Sequence, residues 1–242
     1  KLGRIYAVTY EGPEPINPRP RGSNADSTAE LIASLDHPSF NERKRAQAEL
    51  TKRGAAAWDE ATAALSAPET SALAKRHLVW TVAAIAEANQ KDLGPLFGAL
   101  KDSSADVRAQ AARAFGMARE SDPKATTALI PLLNDPEPAT RLQAVIALGR
   151  LGGSKAVEPL IPIVADPDVY LAHSARAALT RIGDWPAVAK GLDTADAKVR
   201  AGILLTLERI YAKEAVAALR AFAENGAHDS LERAAAIEYL AS

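Results

Sequence analysis

The residues able to do chemistry in this chain are its histidines, carboxylates and arginines. The four histidines, His37, His77, His173 and His228, are scattered, and no two stand at the H-E-x-x-H spacing that builds a metal site on one helix face. There is no cysteine, which removes thiol catalysis, cysteine-bound zinc, disulfides and covalent haem attachment. The expectation is therefore no catalytic residue, no metal and no cofactor. What recurs is a pairing of arginine with aspartate. "LKDSSADVRAQAARAFGMA" at Leu100–Ala118 and "LNDPEPATRLQAVIALGRLG" at Leu133–Gly152 share a leucine, an aspartate two residues on and an arginine eight residues on.

The same step leads from Leu35 to Arg43 and from Leu192 to Arg200, and it places Arg108 and Arg141 in the two quoted segments. Asp102, Asp135, Asp166 and Asp193 share the other position to within one residue. Arginine presents a planar fork of donors that grips a carboxylate or turn carbonyls of its own or the adjacent unit. Stacked repeats would align these residues into a structural ladder that fixes register. A basic ligand stripe is the weaker reading, because the paired aspartates would neutralise it.

The elements that position the ladder are helices. The markers fall about 28 to 33 residues apart, the period of stacked helical pairs. Leu142, Val145, Ile146, Leu148 and Leu151 recur at three- and four-residue steps. Asp135-Pro136 and Asp166-Pro167 precede such helices as capping signals, and Gly152-Gly153 and Gly183 end them. A shorter second helix follows in "AVEPLIPIV", "ATTALIPLL" and "AVAALRAF". Pro131 and Pro162 take equivalent places in it and predict repeated bends. One pair cannot bury both its apolar faces, so pairs must stack. About seven units are expected over residues 26–242, with the short second helices on the inner surface. The fold class is all-α, an α-solenoid with a short N-terminal extended arm.

"DVRAQAARAFG", "DPEPATRLQAVIALGRLG" and "AVEPLIPIVADPDV" resemble HEAT repeats, of the short type also found in phycobilisome bilin lyases. The resemblance runs from about Asp26 to Ser242. It implies a right-handed superhelix of helix pairs acting as a scaffold for a protein partner or a neighbouring domain. It also leaves an enzyme of that fold as the alternative, either bilin-lyase-like or an alkylpurine DNA glycosylase. The glycosylase needs a basic groove with aromatic side chains. A net charge of −1 and three dispersed tryptophans oppose it, so no nucleic-acid partner is expected. Arg43, Lys44 and Arg45 form one basic run, without similar runs on neighbouring repeats. No stretch is long and apolar enough for membrane insertion.

The fifth unit departs from the pattern. In "DPDVYLAHSARAALTRIG" the ladder arginine becomes Ala172, Tyr170 and His173 appear beside it, and Trp185 follows in the next turn. Tyr170, His173 and Trp185 are the candidate contact residues. The alternative is that Tyr170 fills the space the arginine leaves.

Residues 1–25 read as an extended arm. "GRIYAVTY" alternates like a strand, and "EGPEPINPRPRGSN" reads as a proline-rich linker. The order of strand, linker and HEAT resembles bacterial proteins that join a dehydrogenase-like β-propeller, HEAT repeats and a c-type haem domain. That resemblance implies the last strand of a preceding propeller, a chain cut from a longer protein and an extracytoplasmic, periplasmic location. Without it a cytoplasmic location is expected.

Overall fold

The computed structural model describes residues 26–118 and 123–241, and the N-terminal arm lies outside them. Long and short helices alternate: α1 (Thr28–Ser34), α2 (Phe40–Arg53), α3 (Trp58–Ser66), α4 (Ala72–Ala88), α5 (Leu96–Ala99), α6 (Ala105–Met117), α7 (Pro123–Leu129), α8 (Pro138–Leu151), α9 (Val157–Leu160), α10 (Val169–Ile182), α11 (Trp185–Ala189), α12 (Ala197–Leu207), α13 (Lys213–Glu224) and α14 (Ser230–Ala241). The even-numbered helices carry the repeated arginine phrase. The odd-numbered ones are mostly shorter, and several are extended or interrupted by 3₁₀ turns. The described residues thus form seven short–long pairs stacked in chain order, with no strand among them. The chain is an all-α solenoid.

Local chemistry accounts for where helices begin and end. Asp168 is the N-cap of α10 and its carboxylate accepts from the Tyr170 and Leu171 amides. Asp196 does the same for α12. Asp135 and Asp166, expected as caps, sit two residues before the cap. They close the turn instead, Asp135 accepting from the Glu137 amide and Asp166 from the Asp168 amide. Gly152 (φ 73°) ends α8 and Gly183 (φ 70°) ends α10, both in the left-handed range that glycine adopts without strain. Pro131 and Pro162 fall at the first positions of 3₁₀ segments, where α7 and α9 give way to Ile130–Asn134 and Pro162–Ala165. The proline therefore tightens the short helix, as its missing donor requires.

The core is one continuous apolar layer between the two rows, built mainly from leucine, valine and alanine. Glycine and alanine let the long helices come close. A Cβ on Gly116 would lie 2.7 Å from the Ala147 Cα, and one on Gly149 would lie 2.7 Å from the Ala178 Cα. Contacts between neighbouring long helices are more extensive than those between neighbouring short ones. A stack pinched along one row curves toward that row. The small residues that permit close approach lie on the long helices, so the pinch favours the long-helix row as the inner face, against the sequence expectation of the short helices.

Candidate functional site

The turn ahead of five of the seven long helices, α2, α6, α8, α10 and α12, is built the same way. Six residues before the ladder position stands a side-chain acceptor that takes the amide proton two residues on. These are His37 Nδ1 from Ser39 (3.0 Å), Asp102 from Ser104 (2.9 Å), Asp135 from Glu137 (2.9 Å), Asp166 from Asp168 (2.8 Å) and Thr194 Oγ1 from Asp196 (3.3 Å). Thr194 holds this place in its unit. Asp193 is one residue out of register and exposed, so it does not serve as a ladder residue.

The arginines clamp these turns from behind. Nη1 of Arg43 donates to the carbonyls of His37 (2.7 Å) and Pro38 (2.8 Å). Nη1 of Arg108 donates to Asp102 (2.8 Å) and Ser103 (3.0 Å), that of Arg141 to Asp135 (2.9 Å) and Pro136 (3.1 Å), and that of Arg200 to Thr194 (2.8 Å) and Ala195 (2.9 Å). In Arg108 and Arg200 the remaining donors reach the next unit. Arg108 holds Asp135 with two parallel bonds, Nε to Oδ2 at 2.7 Å and Nη2 to Oδ1 at 2.9 Å. Arg200 holds Glu232, with Nη2 2.9 Å from Oε1. Lys75, and not the neighbouring Arg76 that the spacing favours, reaches Asp102 at 2.8 Å. The Arg108–Asp135 pair is nearly enclosed, at 14% and 4% side-chain exposure. The bond from Arg108 holds the Asp135 carboxyl below the usual carboxylate range against the opposing effect of burial. Asp102 lies low as well. Burial pushes it up, but the Lys75 bond and the Ser104 amide outweigh that.

The ladder stops at the fifth unit. Among the described residues no ion pair joins Arg141 to Asp166. Ala172 is buried where an arginine would stand, and Arg176, one turn on, sends Nη1 to the Val164 carbonyl at 3.3 Å. Tyr170 does not fill the vacated space, for it is 77% exposed. His173 is exposed beside it on the same face of α10. Trp185 does not join them. It opens α11 beyond the far end of α10, half-buried against the core.

A second set of basic residues was missed because their spacing is regular only in three dimensions. Tyr170, His173, Ala177 and Arg181 form the exposed stripe of α10. The residues corresponding to Ala177 and Arg181 are Arg113 and Met117 on α6, Ile146 and Arg150 on α8, and Leu205 on α12 with Arg209 just beyond its end, where it pairs with Glu208 at 3.5 Å. Across the whole of α6, α8, α10 and α12 one carboxylate occurs, Asp106, and Arg76 occupies it at 2.9 Å. Arg113, Arg150 and Arg181 have no carboxylate partner among the described residues. Arg113 lies over the Trp80 ring at 5.6 Å from its centroid, and Trp80 Nε1 donates to Gln110 Oε1 at 2.9 Å. The turns at the start of these helices carry the acids: Asp102, Glu137, Asp168 and Asp196. The inner face is thus apolar and cationic, with an acidic edge, in a chain of net charge −1.

The repeated turn, the clamping arginine and the stacked pairs coincide with a known pattern. Residues 93–180 match the family model for HEAT repeats. That segment is a run of HEAT repeats. In fold the chain is similar to the complex of CpcE and CpcF of phycocyanin lyase from Nostoc sp. PCC7120, at 19% identity, 97% coverage of this chain, 99% of that chain and a TM-score of 0.51. It is also similar to the archaeal HEAT-like repeats protein from Thermococcus onnurineus NA1, at 16% identity over 90% of this chain and 97% of that one, with a TM-score of 0.47. A designed armadillo repeat protein in complex with the peptide (KR)4 gives 17% identity, 89% and 100% coverage and a TM-score of 0.49. No curated protein matches the chain. At these identities the likeness is one of fold, a solenoid of stacked helix pairs.

Among the described residues no three of His, Asp and Glu cluster as metal ligands, and no helix is long and apolar enough to cross a membrane. Two hollows, of about 360 Å³ beside Ser104 and Thr140 and about 330 Å³ beside Phe222 and His228, are open to solvent.

Proposed function

We propose that the chain is a non-catalytic scaffold that holds a protein partner, or a neighbouring domain of the same protein, on the inner face of its long helices. The carrying observation is the exposed surface of α6, α8, α10 and α12. It sets exposed Met117 and Leu205 and half-buried Ile146 among arginines, with half-buried Trp80 at one side and Tyr170 and His173 within it. Arginine, methionine and aromatic side chains are the ones enriched at interface centres, and they bring contact area with little desolvation cost. Tyr170 and His173 supply the contact of the fifth unit, and Trp185 supports the start of α11.

A photo-crosslinking residue separates this face from the rest. Placed at the exposed Ala177 in the native host, it should give a discrete protein adduct, and at Glu158 on α9 it should give none. Equal labelling at both positions, or labelling from Glu158 alone, would remove the inner face as the contact surface.

A further inference from the structure

We infer that the segment bound on this face is an extended acidic peptide, its carboxylates seated on Arg113, Arg150 and Arg181. The inference rests on the proposed binding function and gives that function a ligand chemistry. The face is a lane with a sign. Three successive long helices, α6, α8 and α10, expose arginine to it and offer one carboxylate, which is already taken. A cation in the last turn of a helix is favoured by the helix dipole, and that accounts for Arg150 and Arg181 singly. It does not account for Arg113, more than a turn from the end of α6, nor for the exclusion of acids from four helices in a chain with 30 of them.

Spacing selects the backbone form of the ligand. Neighbouring packed helices lie about 8–10 Å apart. An extended chain advances about 3.3 Å per residue, so about three residues span one helix step. Carboxylates at every third residue would come within reach of successive arginines, Arg113 standing one turn nearer the start of its helix than Arg150 and Arg181, and the side chains between them would rest on Met117, Ile146 and Leu205. A nucleic acid suits the face less well. The acids at the starts of the same helices, Glu137, Asp168 and Asp196, border the lane and repel a polyanion wide enough to cover both. The aromatic side chains of this face are Trp80 and Tyr170, too few for successive bases to stack on.

The test is fluorescence anisotropy of the folded chain with a labelled peptide of four Glu-Thr-Val triplets. A lysine version of that peptide and a single-stranded oligothymidine are the competitors. The acidic peptide should bind, more weakly as salt rises. Combining Arg113→Gln, Arg150→Gln and Arg181→Gln should weaken it by about tenfold or more. Arg220→Gln, on the outer α13, should leave binding unchanged, and all variants should keep the parent helicity and melting midpoint. Absence of binding, equal binding of the lysine peptide, tighter binding of the oligothymidine, or indifference to the triple substitution would each overturn the inference. A crosslinked partner from Ala177 together with a failed acidic peptide would leave the scaffold function standing and discard only this ligand chemistry.

Discussion

Two sets of arginines occupy the same helices and do opposite things. Arg108 and Arg113 both stand on α6, and Arg141 and Arg150 both stand on α8. Arg108 and Arg141 point back into the turns, where they hold carbonyls and, for Arg108, a buried carboxylate. Arg113 and Arg150 lie on the exposed inner stripe, which holds no free carboxylate among the described residues. The residue type is constant, so its type does not set its role. Angular position on the helix and the local supply of acceptors do. The turn edge converts arginine into a register lock, and the inner face leaves it available.

The largest effect expected from that contrast is on stability at the turn edge. Arg108→Ala leaves Asp135 nearly enclosed and unpaired, and should cost about 2–4 kcal/mol in denaturant unfolding. Arg150→Ala should stay within about 0.5 kcal/mol of the parent. Next comes the pinch between helices. Gly149→Ala gains about 1 kcal/mol of helix propensity, but its Cβ meets the Ala178 backbone at 2.7 Å. The backbone shift should dominate and destabilise the array by about 1–2 kcal/mol net. Arg141→Ala should cost only about 1 kcal/mol, because Arg141 holds turn carbonyls without a carboxylate. A cost for Arg141→Ala equal to that of Arg108→Ala would break the distinction between complete and interrupted rungs.

The smallest expected effect is a change in acid response. Asp135 is held below the ordinary carboxylate range in the folded chain, first by its bond from Arg108. Its contribution to stability is therefore full above the unfolded value of about 3.9 and is lost as pH falls through the folded one. Thermal melting below about pH 4 should show this loss. Arg108→Gln should flatten it, since Asp135 then titrates more nearly alike in both states. An unchanged acid slope would mean that the pair is not what depresses Asp135.

Much of the fold is legible in the sequence because a repeat writes its local rules several times. Helix period, the turn aspartates, the ends at Gly152 and Gly183 and the proline positions act within a few residues, and each recurs. What sequence spacing misplaces depends on three dimensions. Asp193 matches by count, but the turn of its unit uses Thr194. Arg76 fits the spacing, while Lys75 has the reach to Asp102. Spacing places the short helices on the inner row, because helix length says nothing about curvature, and the close contacts of Gly116 and Gly149 favour the long row instead. Tyr170 and His173 stand exposed together as neighbours on one helix face. Trp185 follows at a distance in sequence that a 14-residue helix turns into separation in space. The arginines of the inner face escape a linear reading altogether, since a row across helices leaves no run along the chain.

The most direct test of the division between the two sets measures melting and acidic-peptide anisotropy side by side on two variants. One carries Arg108→Ala, and the other combines Arg150→Gln with Arg181→Gln. The account predicts a crossed result: the first variant melts at a lower temperature and, below its melt, still binds, while the second melts as the parent does and loses binding. A second variant that unfolds early, or a first variant that stays fully stable and fails to bind, would contradict it.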